Sequence, residues 1–289
     1  MLKLTDRKKE GNKLLRSIDA DSNDPSQFCH EMNNFATALF NAGLDHIARL
    51  MFKEASKLHI FLSSIQRPVL NTYKEMETEM IWDMDNHVGL STYDEEFTEL
   101  KAFLPTLKKE ATEAAKNIDG TQWYINQHRE VSTGNYIVGK EGNFSVLPLF
   151  AYGKRRRMVC KDIMPETCKF LKKNFDRAIN VEYGVVKLTV MDPKIKTLPL
   201  DGLTNMRLRL LVPIHIPEGF VMTLGEDTKV PLDREMMVID ESFEHRYDNE
   251  KGSSSAMWLS LDLVHPDVTP EEAKQLSVTA YAKNFFMSW

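Results

Sequence analysis

The spacing of apolar residues changes along the chain, and this change constrains the fold more than any other feature. Up to about residue 118, apolar residues recur every three or four positions, which is the period of helices. Beyond Asp119, short runs of aromatic and β-branched residues alternate with period two, as at 186–190 and 206–210. Short strands with little helix between them favour a sandwich or a jelly-roll barrel. We therefore predict an α+β protein, with a helical region at 1–118 followed by a jelly-roll domain at 119–289.

The helical region contains a pattern typical of an αα-hairpin at residues 27–62. A helix stop and a helix start meet at 41–45, in the sequence Asn-Ala-Gly-Leu-Asp. The residues expected on the apolar face are Phe28, Met32, Phe35, Leu39, Ile47, Leu50, Met51, Ala55 and Leu58. The segment resembles a tetratricopeptide unit, with small residues at Ala38, Ala48 and Ala55 where helices would approach closely. Only one copy is clear and a solenoid needs several, so we expect a helical cap on the next domain, with an independent peptide-binding module as the alternative.

The remaining elements follow from the same two periods. Further helices are predicted at 94–116, with an interruption near Pro105, and at 166–177 and 270–276. The clearest strands are predicted at 183–191, 206–216, 235–239 and 256–264.

Composition limits the classes of partner and compartment. The net charge is −5 and the pI is about 5.9, so the chain is not expected to bind nucleic acid or an anionic membrane. The basic run 154–157 is expected to be a solvated turn. Neither a signal-like amino terminus nor a membrane-length apolar stretch is visible, which favours a cytoplasmic protein. The three cysteines, Cys29, Cys160 and Cys168, are too few for a disulfide scaffold. Cys160 and Cys168 could oxidise to a disulfide, but free thiols are the default expectation in that compartment.

Five segments in a fixed order carry a resemblance to a known family. They are Ile-Gln-Arg-Pro at 65–68, the segment from Cys160 to Cys168, Thr-Asn-Met-Arg-Leu-Arg at 204–209, Asp-Glu-Ser-Phe-Glu-His at 240–245 and Trp-Leu-Ser-Leu-Asp-Leu-Val-His-Pro at 258–266. Together they resemble the aspartyl/asparaginyl β-hydroxylase family over about residues 60–275. The resemblance implies a double-stranded β-helix and an iron(II)- and 2-oxoglutarate-dependent oxygenase. Such enzymes hydroxylate the β-carbon of Asp or Asn and hold iron through two histidines.

Position by position, most of the functional residues that the resemblance implies are missing. The second iron histidine falls on His245, but the first falls on Leu200. The arginine that would pair with the distal carboxylate of 2-oxoglutarate falls on Ala256, and a supporting histidine falls on Leu211. The co-substrate residues that remain are Arg209 and Thr189, the latter where the family has serine. A leucine cannot bind metal, and an alanine cannot replace a charged guanidinium fork.

Other side chains are candidates for rebuilding a metal site around His245. The first is Asp201, next to the lost ligand, which a local bulge could turn inward. The remaining candidates are Asp192, His215, Glu244, Asp262 and His265.

These observations predict a catalytically impaired pseudo-oxygenase that acts as a binding or scaffold protein and needs no cofactor. Its partner would be a peptide, a protein or a small molecule, and an anion could bind near Arg207 and Arg209. The alternative is an active 2-oxoglutarate-dependent dioxygenase with altered metal ligation, which would need iron(II) and 2-oxoglutarate. A third possibility is an adaptor that acts through its helical hairpin alone.

Overall fold

The computed structural model describes residues 25–68, 76–118, 120, 122–127, 137–139, 141–151, 153–181, 184–202, 204–230, 232 and 235–275. The helices in these ranges are α1 (Pro25–Asn41), α2 (Asp45–Lys57), α3 (Asp94–Ala115), α4 (Pro165–Asn174), α5 (Asp176–Ile179) and α6 (Pro270–Gln275). A 3₁₀ turn at Val88–Tyr93 precedes α3, and a π turn at Val159–Ile163 precedes α4.

The strands are short and pair antiparallel throughout. They are β1 (Ile81–Trp82), β2 (Tyr124–Gln127), β3 (Ile137–Gly139), β4 (Asn143–Ala151), β5 (Lys154–Arg155), β6 (Val185–Met191), β7 (Ile195–Thr197), β8 (Arg207–His215), β9 (Val221–Leu224), β10 (Thr228–Val230), β11 (Met237–Ile239), β12 (His245–Asp248) and β13 (Ala256–Val264).

Two sheets form the jelly roll. The larger has eight strands in the order β1-β11-β8-β13-β6-β4-β2, with β5 paired to β4. The smaller has five strands in the order β10-β9-β12-β7-β3. This architecture confirms the predicted α+β class with a jelly-roll domain.

The two faces of the large sheet bury different sets of residues because side chains alternate along a strand. On β6, Val186 and Leu188 belong to an apolar core shared with α3 and α4. The alternate residues of β6, Lys187 and Thr189, face the other way, toward the small sheet. The core on that inner side is continuous with the helical hairpin, since Phe52 of α2 and Trp258 of β13 lie in the same apolar cluster.

The hairpin forms where the sequence predicted it, but its buried face differs from the expected one. Gly43 ends α1 with a φ of +66°, and Leu44 N–H donates to Leu39 O at 2.9 Å, a common helix-ending arrangement. The buried residues of α2 are Ala48, Phe52 and Ala55. Of the residues expected inside, Ile47, Leu50 and Leu58 are 41%, 58% and 72% exposed. Ala38, expected at a close helix contact, is exposed as well. The expected Phe28 side chain lies outside the described residues, and the likeness to a tetratricopeptide unit stays a prediction.

The expected interruption of α3 at Pro105 is wrong. The helix runs unbroken from Asp94 to Ala115 with Pro105 inside it. Proline removes one helical hydrogen bond and crowds the preceding turn. The flanking Leu104 and Leu107 are buried in the large core, so tertiary packing opposes the break.

The sequence reading also missed several short elements. The region predicted as helical contains β1, which pairs with β11 at Ile81↔Ile239. Strand β4, of nine residues, was not singled out, although it pairs with β6 along most of its length. The position of the boundary near residue 118 stays a prediction. The basic run was expected to be a solvated turn. Its first two residues, Lys154 and Arg155, are exposed as expected, but they form the short strand β5.

The expectation of free thiols at Cys160 and Cys168 is wrong in this structure. The two cysteines form a disulfide with their Cα atoms 5.4 Å apart. The π turn and the start of α4 bring them together, and both are buried against the large core. Cys29 lies among the residues whose side chains are not described.

Candidate functional site

A cavity of about 50 Å³ lies between the inner faces of the two sheets. Residues from both sheets and their connections line it: Phe144, Val185, Lys187, Thr189, Leu200, Asp201, Gly202, Arg207, Arg209, Glu241, His245, Tyr247, Trp258 and Ser260. The alternation of β6 explains part of this set. Because Val186 and Leu188 face the large core, Lys187 and Thr189 must face the cavity.

Two arginines on β8 and two carboxylates form a buried charge cluster at one end of the cavity: Arg207, Arg209, Glu241 and Asp262. Asp262 accepts hydrogen bonds from Arg207 Nη1 at 2.6 Å and from Arg209 Nη2 at 2.6 Å. Glu241 accepts a hydrogen bond from Arg209, and its Oε2 lies 3.6 Å from Arg207 Nη2. Burial alone would raise the pKa of Glu241, but the charges of Arg209 and Arg207 outweigh this effect and lower it to about 2. The arginines thus keep Glu241 an anion, and they bind Asp262 in close ion pairs.

Lys187 lies next to this cluster and is 8% exposed. In the strand register it stands opposite Ser260 of β13. Burial, followed by the like charge of Arg209, lowers the pKa of Lys187 to about 7. This lysine therefore changes protonation near neutral pH, which an exposed lysine does not do.

His245 reaches the cavity from β12 and is 4% exposed. Its Nδ1 lies 3.0 Å from the carbonyl oxygen of Phe243, which can only accept, so Nδ1 donates. Nε2 is then the acceptor, and it lies 3.8 Å from Oε1 of Glu241. Burial lowers the pKa of His245, which favours the neutral ring.

The position opposite His245 is occupied by Leu200. The two residues form an isolated antiparallel bridge in which each backbone N–H donates to the other's carbonyl at 2.8 Å. The residues on which the resemblance puts the first and the second iron position are thus neighbours in space, and the assignment of those positions stays a prediction. Leu200 is 6% exposed and offers only carbon to the cavity.

The other two positions at which the resemblance implies a loss are fully buried. Leu211 and Ala256 belong to the apolar cluster that contains Trp258. Ala256 stands opposite Met191, and Leu211 stands between Met237 on β11 and Ser260 on β13.

Asp201 lies at the edge of the cavity but is held by an arginine. Nη2 of Arg67 lies 2.8 Å from Oδ1 and 3.0 Å from Oδ2 of Asp201. Burial raises the pKa of Asp201 to about 6, against the opposing effect of Arg67. The carboxylate expected as a substitute metal ligand is therefore engaged in an ion pair.

The same arginine connects the helical hairpin to the jelly roll. Arg67 donates to Glu244 at 2.8 Å, and its guanidinium carbon lies 3.7 Å from the ring centroid of Phe52 in α2. Arg49 of α2 adds two hydrogen bonds to Glu244, at 2.8 and 2.6 Å. Glu244, another candidate ligand, is thus a structural anchor between the two parts of the chain.

The remaining candidate ligands do not converge on His245. Asp262 belongs to the charge cluster. Asp192 accepts from the Asn143 amide at 2.9 Å, His215 is exposed beside Ser254, and His265 lies 3.0 Å from the Glu77 carbonyl oxygen. Within the described ranges, the one set of three metal-type side chains with converging ligand atoms is Glu77, Glu79 and His87, at the surface.

Sequence reasoning missed Lys187, Glu241 and Tyr247 as cavity residues. For Lys187 a signal was present, since it lies two positions from Thr189 in an alternating strand. The role of Glu241 could not be read from the sequence because its partner Arg209 lies 32 residues away.

Two antiparallel sheets enclosing a polar cavity define a double-stranded β-helix protein. The Aspartyl/Asparaginyl beta-hydroxylase family model matches residues 90–266, more than half of the chain. The chain therefore belongs to the aspartyl/asparaginyl beta-hydroxylase family, a family of oxygenases.

The chain is also similar to curated relatives and to solved structures. The Homo sapiens and Mus musculus aspartyl/asparaginyl beta-hydroxylases are 30% and 29% identical over 138 residues, which are 47% of this chain. The match spans 18% of each relative, so the chain covers less than a fifth of their length. A Pseudomonas putida prolyl-4-hydroxylase structure is 10% identical, with a TM-score of 0.31 over 57% of this chain and 87% of that chain. A 2OG-Fe(II) oxygenase structure from Burkholderia pseudomallei is 11% identical, with a TM-score of 0.29 over 51% of this chain and 78% of that chain. The assignment rests on the family match and not on these structural scores.

Among the described residues, no helix combines the length and the apolarity that crossing a membrane requires.

Proposed function

We propose that this domain does not hydroxylate through iron(II) and 2-oxoglutarate, and that it acts as a ligand-binding or scaffold protein. The observation that carries the proposal is the bridge between Leu200 and His245, because Leu200 is the residue on which the family's first iron histidine is expected to fall. Iron(II) must keep open positions for oxygen and co-substrate, so it depends on every protein ligand. One imidazole with a leucine opposite does not fit that requirement.

The co-substrate side of the cavity supports the same conclusion. Ala256 and Leu211 leave apolar surfaces where a buried carboxylate would need charged or polar partners. Arg209, which the resemblance implies for co-substrate binding, already contacts Asp262 and Glu241. A dicarboxylate would have to compete with these two buried anions, and burying a charge without a partner costs several kcal/mol.

One observation favours the alternative of an active oxygenase with altered ligation. Nε2 of His245 and Oε1 of Glu241 are 3.8 Å apart and both line the cavity. An imidazole and a carboxylate are a common pair of iron ligands. Against this, Glu241 is already bound by Arg209, and a metal ion would have to displace that guanidinium.

The direct experiment is an anaerobic calorimetric titration of metal-free protein with iron(II), compared with His245→Ala. The proposal predicts no stoichiometric site of micromolar affinity in either protein. A micromolar site that is lost in both His245→Ala and Glu241→Gln would instead support the altered ligation.

The partner of such a protein belongs to the proposal as well. A peptide, a protein or a small molecule is expected, held at the cavity or on the hairpin, and neither nucleic acid nor membrane. Deleting residues 1–64 and measuring partner binding separates an adaptor that acts through the hairpin from a binder that acts through the cavity.

A further inference from the structure

The polar part of the cavity carries an excess of positive charge. Lys187 and the two arginines of the charge cluster are three cations, and Glu241 and Asp262 are two carboxylates. The other titratable residues of the lining add no net charge. Burial lowers the pKa of His245 and raises that of Tyr247, so both are neutral, and the charge of Asp201 is balanced by Arg67. With Lys187 protonated, these groups sum to one net positive charge, which a single bound anion would neutralise.

The rest of the cavity is apolar and aromatic. Phe144, Tyr247 and Trp258 form an aromatic wall, in which Tyr247 and Trp258 have ring centroids 4.9 Å apart. Leu200 closes the same side from the small sheet. Two hydroxyls lie near Lys187 on the inner face. Thr189 is two positions further along β6, and Ser260 stands opposite Lys187 on β13. Hydroxyls can donate a hydrogen bond to a carboxylate.

The cavity has room for a small molecule. Its volume of about 50 Å³ is well above the roughly 10–15 Å³ that a single water needs. A short-chain acid therefore has space to lie between the charge cluster and the aromatic residues.

From this charge, shape and size, we infer that the cavity binds a small monocarboxylate. Its carboxylate would lie beside Lys187 and the charge cluster, and its carbon end would contact the aromatic wall. The inference rests on the proposed function, because it assigns a ligand to the cavity in the absence of metal. The low pKa of Lys187 supports it, since a bound anion compensates the cost that burial imposes on a protonated lysine.

The test is ligand-observed NMR with the full chain, in the presence of a chelator and without added metal. The probes are propionate and pyruvate, with propionamide as the uncharged analogue of the same shape and 2-oxoglutarate as the dianion. We expect saturable binding of the two monocarboxylates and at least tenfold weaker binding of the amide and of the dianion. Equal binding of propionate and propionamide would overturn the inference.

Variants locate the site. Lys187→Met keeps the length of the side chain without its charge, and we expect at least a tenfold loss of propionate affinity. Lys229→Met, at an exposed position on β10, is the matched control and should bind as the wild type does. Leu200→Phe fills the cavity from the small sheet without changing a charge, and it should also lose binding. Leu200→Phe also tests the site independently of Lys187→Met. If Leu200→Phe binds propionate with unchanged affinity, the ligand does not bind in this cavity.

Failure of this inference differs from failure of the proposed function. If no monocarboxylate binds and no succinate is released from 2-oxoglutarate, the inference is wrong and the proposed function stands. If 2-oxoglutarate binds best and succinate appears after iron(II) is added, both are wrong.

Discussion

Replacing Lys187 with methionine should stabilise the protein at neutral pH, by an amount that follows from its burial. Lysine ordinarily has a pKa of 10.5, and in the folded protein burial lowers it to about 7. A difference of about 3.5 pKa units corresponds to about 5 kcal/mol of folding free energy. Below pH 7 the folded protein carries the whole of this cost, because lysine is protonated in both states and its charge is buried. Lys187→Met removes the cost. Since the lowered pKa already includes the attraction of Glu241 and Asp262, we expect a gain of up to about 5 kcal/mol.

The sign of the pH dependence distinguishes this cause from better apolar packing. Between about pH 7 and pH 10 the unfolded lysine binds a proton that the folded one does not, so wild-type stability rises with pH. The advantage of Lys187→Met should therefore be largest below pH 7 and shrink as the pH rises. The charged groups facing the lysine are Arg207, Arg209, Glu241 and Asp262. The raised pKa of Arg209 and the lowered pKa of Glu241 keep these two groups charged through this window. Urea unfolding of both proteins at several pH values measures the difference. If the difference in unfolding free energy between the two proteins stays constant from pH 6 to pH 9.5, the buried charge of Lys187 is not its cause.

Three further predictions concern other parts of the structure. Glu244→Gln should lose about 3 kcal/mol of stability, because Arg67 and Arg49 then lack their shared anion. The control Glu250→Gln removes an exposed ion pair with Lys196 and should change stability by less than about 0.5 kcal/mol in the same urea unfolding assay. Thiol titration of the denatured, unreduced protein should find one reactive cysteine, and Cys168→Ser should cost about 2–3 kcal/mol through lost closure of a short loop. Restoring the family residues together, as Leu200→His, Leu211→His and Ala256→Arg, should permit partial iron(II) uptake by calorimetry yet lower the thermal midpoint, because each new polar group enters apolar packing at a cost of about 1–3 kcal/mol.

Strands with clear alternation were predictable from sequence. The run 256–264 was predicted with the bounds that β13 has, since its alternate residues face a core on one side and a polar cavity on the other. The hairpin was predictable because Gly43 supplies the positive φ that ends α1. Elements whose existence depends on distant partners were not predictable from the sequence. Strand β1 has only two residues and is held by β11, more than 150 residues later in the chain.

Helix faces were less predictable than helix positions. Leu50 and Leu58 fit a helical apolar stripe, yet the hairpin buries Ala48 and Phe52 instead. Which face is covered depends on where Arg49 and Arg67 hold the hairpin against Glu244, and that geometry has no local signal.

The site, too, was predictable from sequence only in part. The resemblance puts the two iron positions on Leu200 and His245, which the structure pairs in one backbone bridge, although their role as iron positions stays a prediction. It could not show that Arg209 and Asp201 are already held by ion pairs, since their partners are distant in sequence. It also gave no place to Lys187, whose importance comes from its burial and from the charges around it.

Succinate release decides whether this chain works as a 2-oxoglutarate oxygenase. The purified protein is incubated with iron(II), ascorbate, oxygen and 2-oxoglutarate, and succinate is measured against a metal-free control. We expect no succinate above the control, because Leu200 and Ala256 stand where the resemblance implies an iron ligand and a co-substrate anchor. Succinate release at a rate typical of these oxygenases, abolished in His245→Ala, would contradict the account.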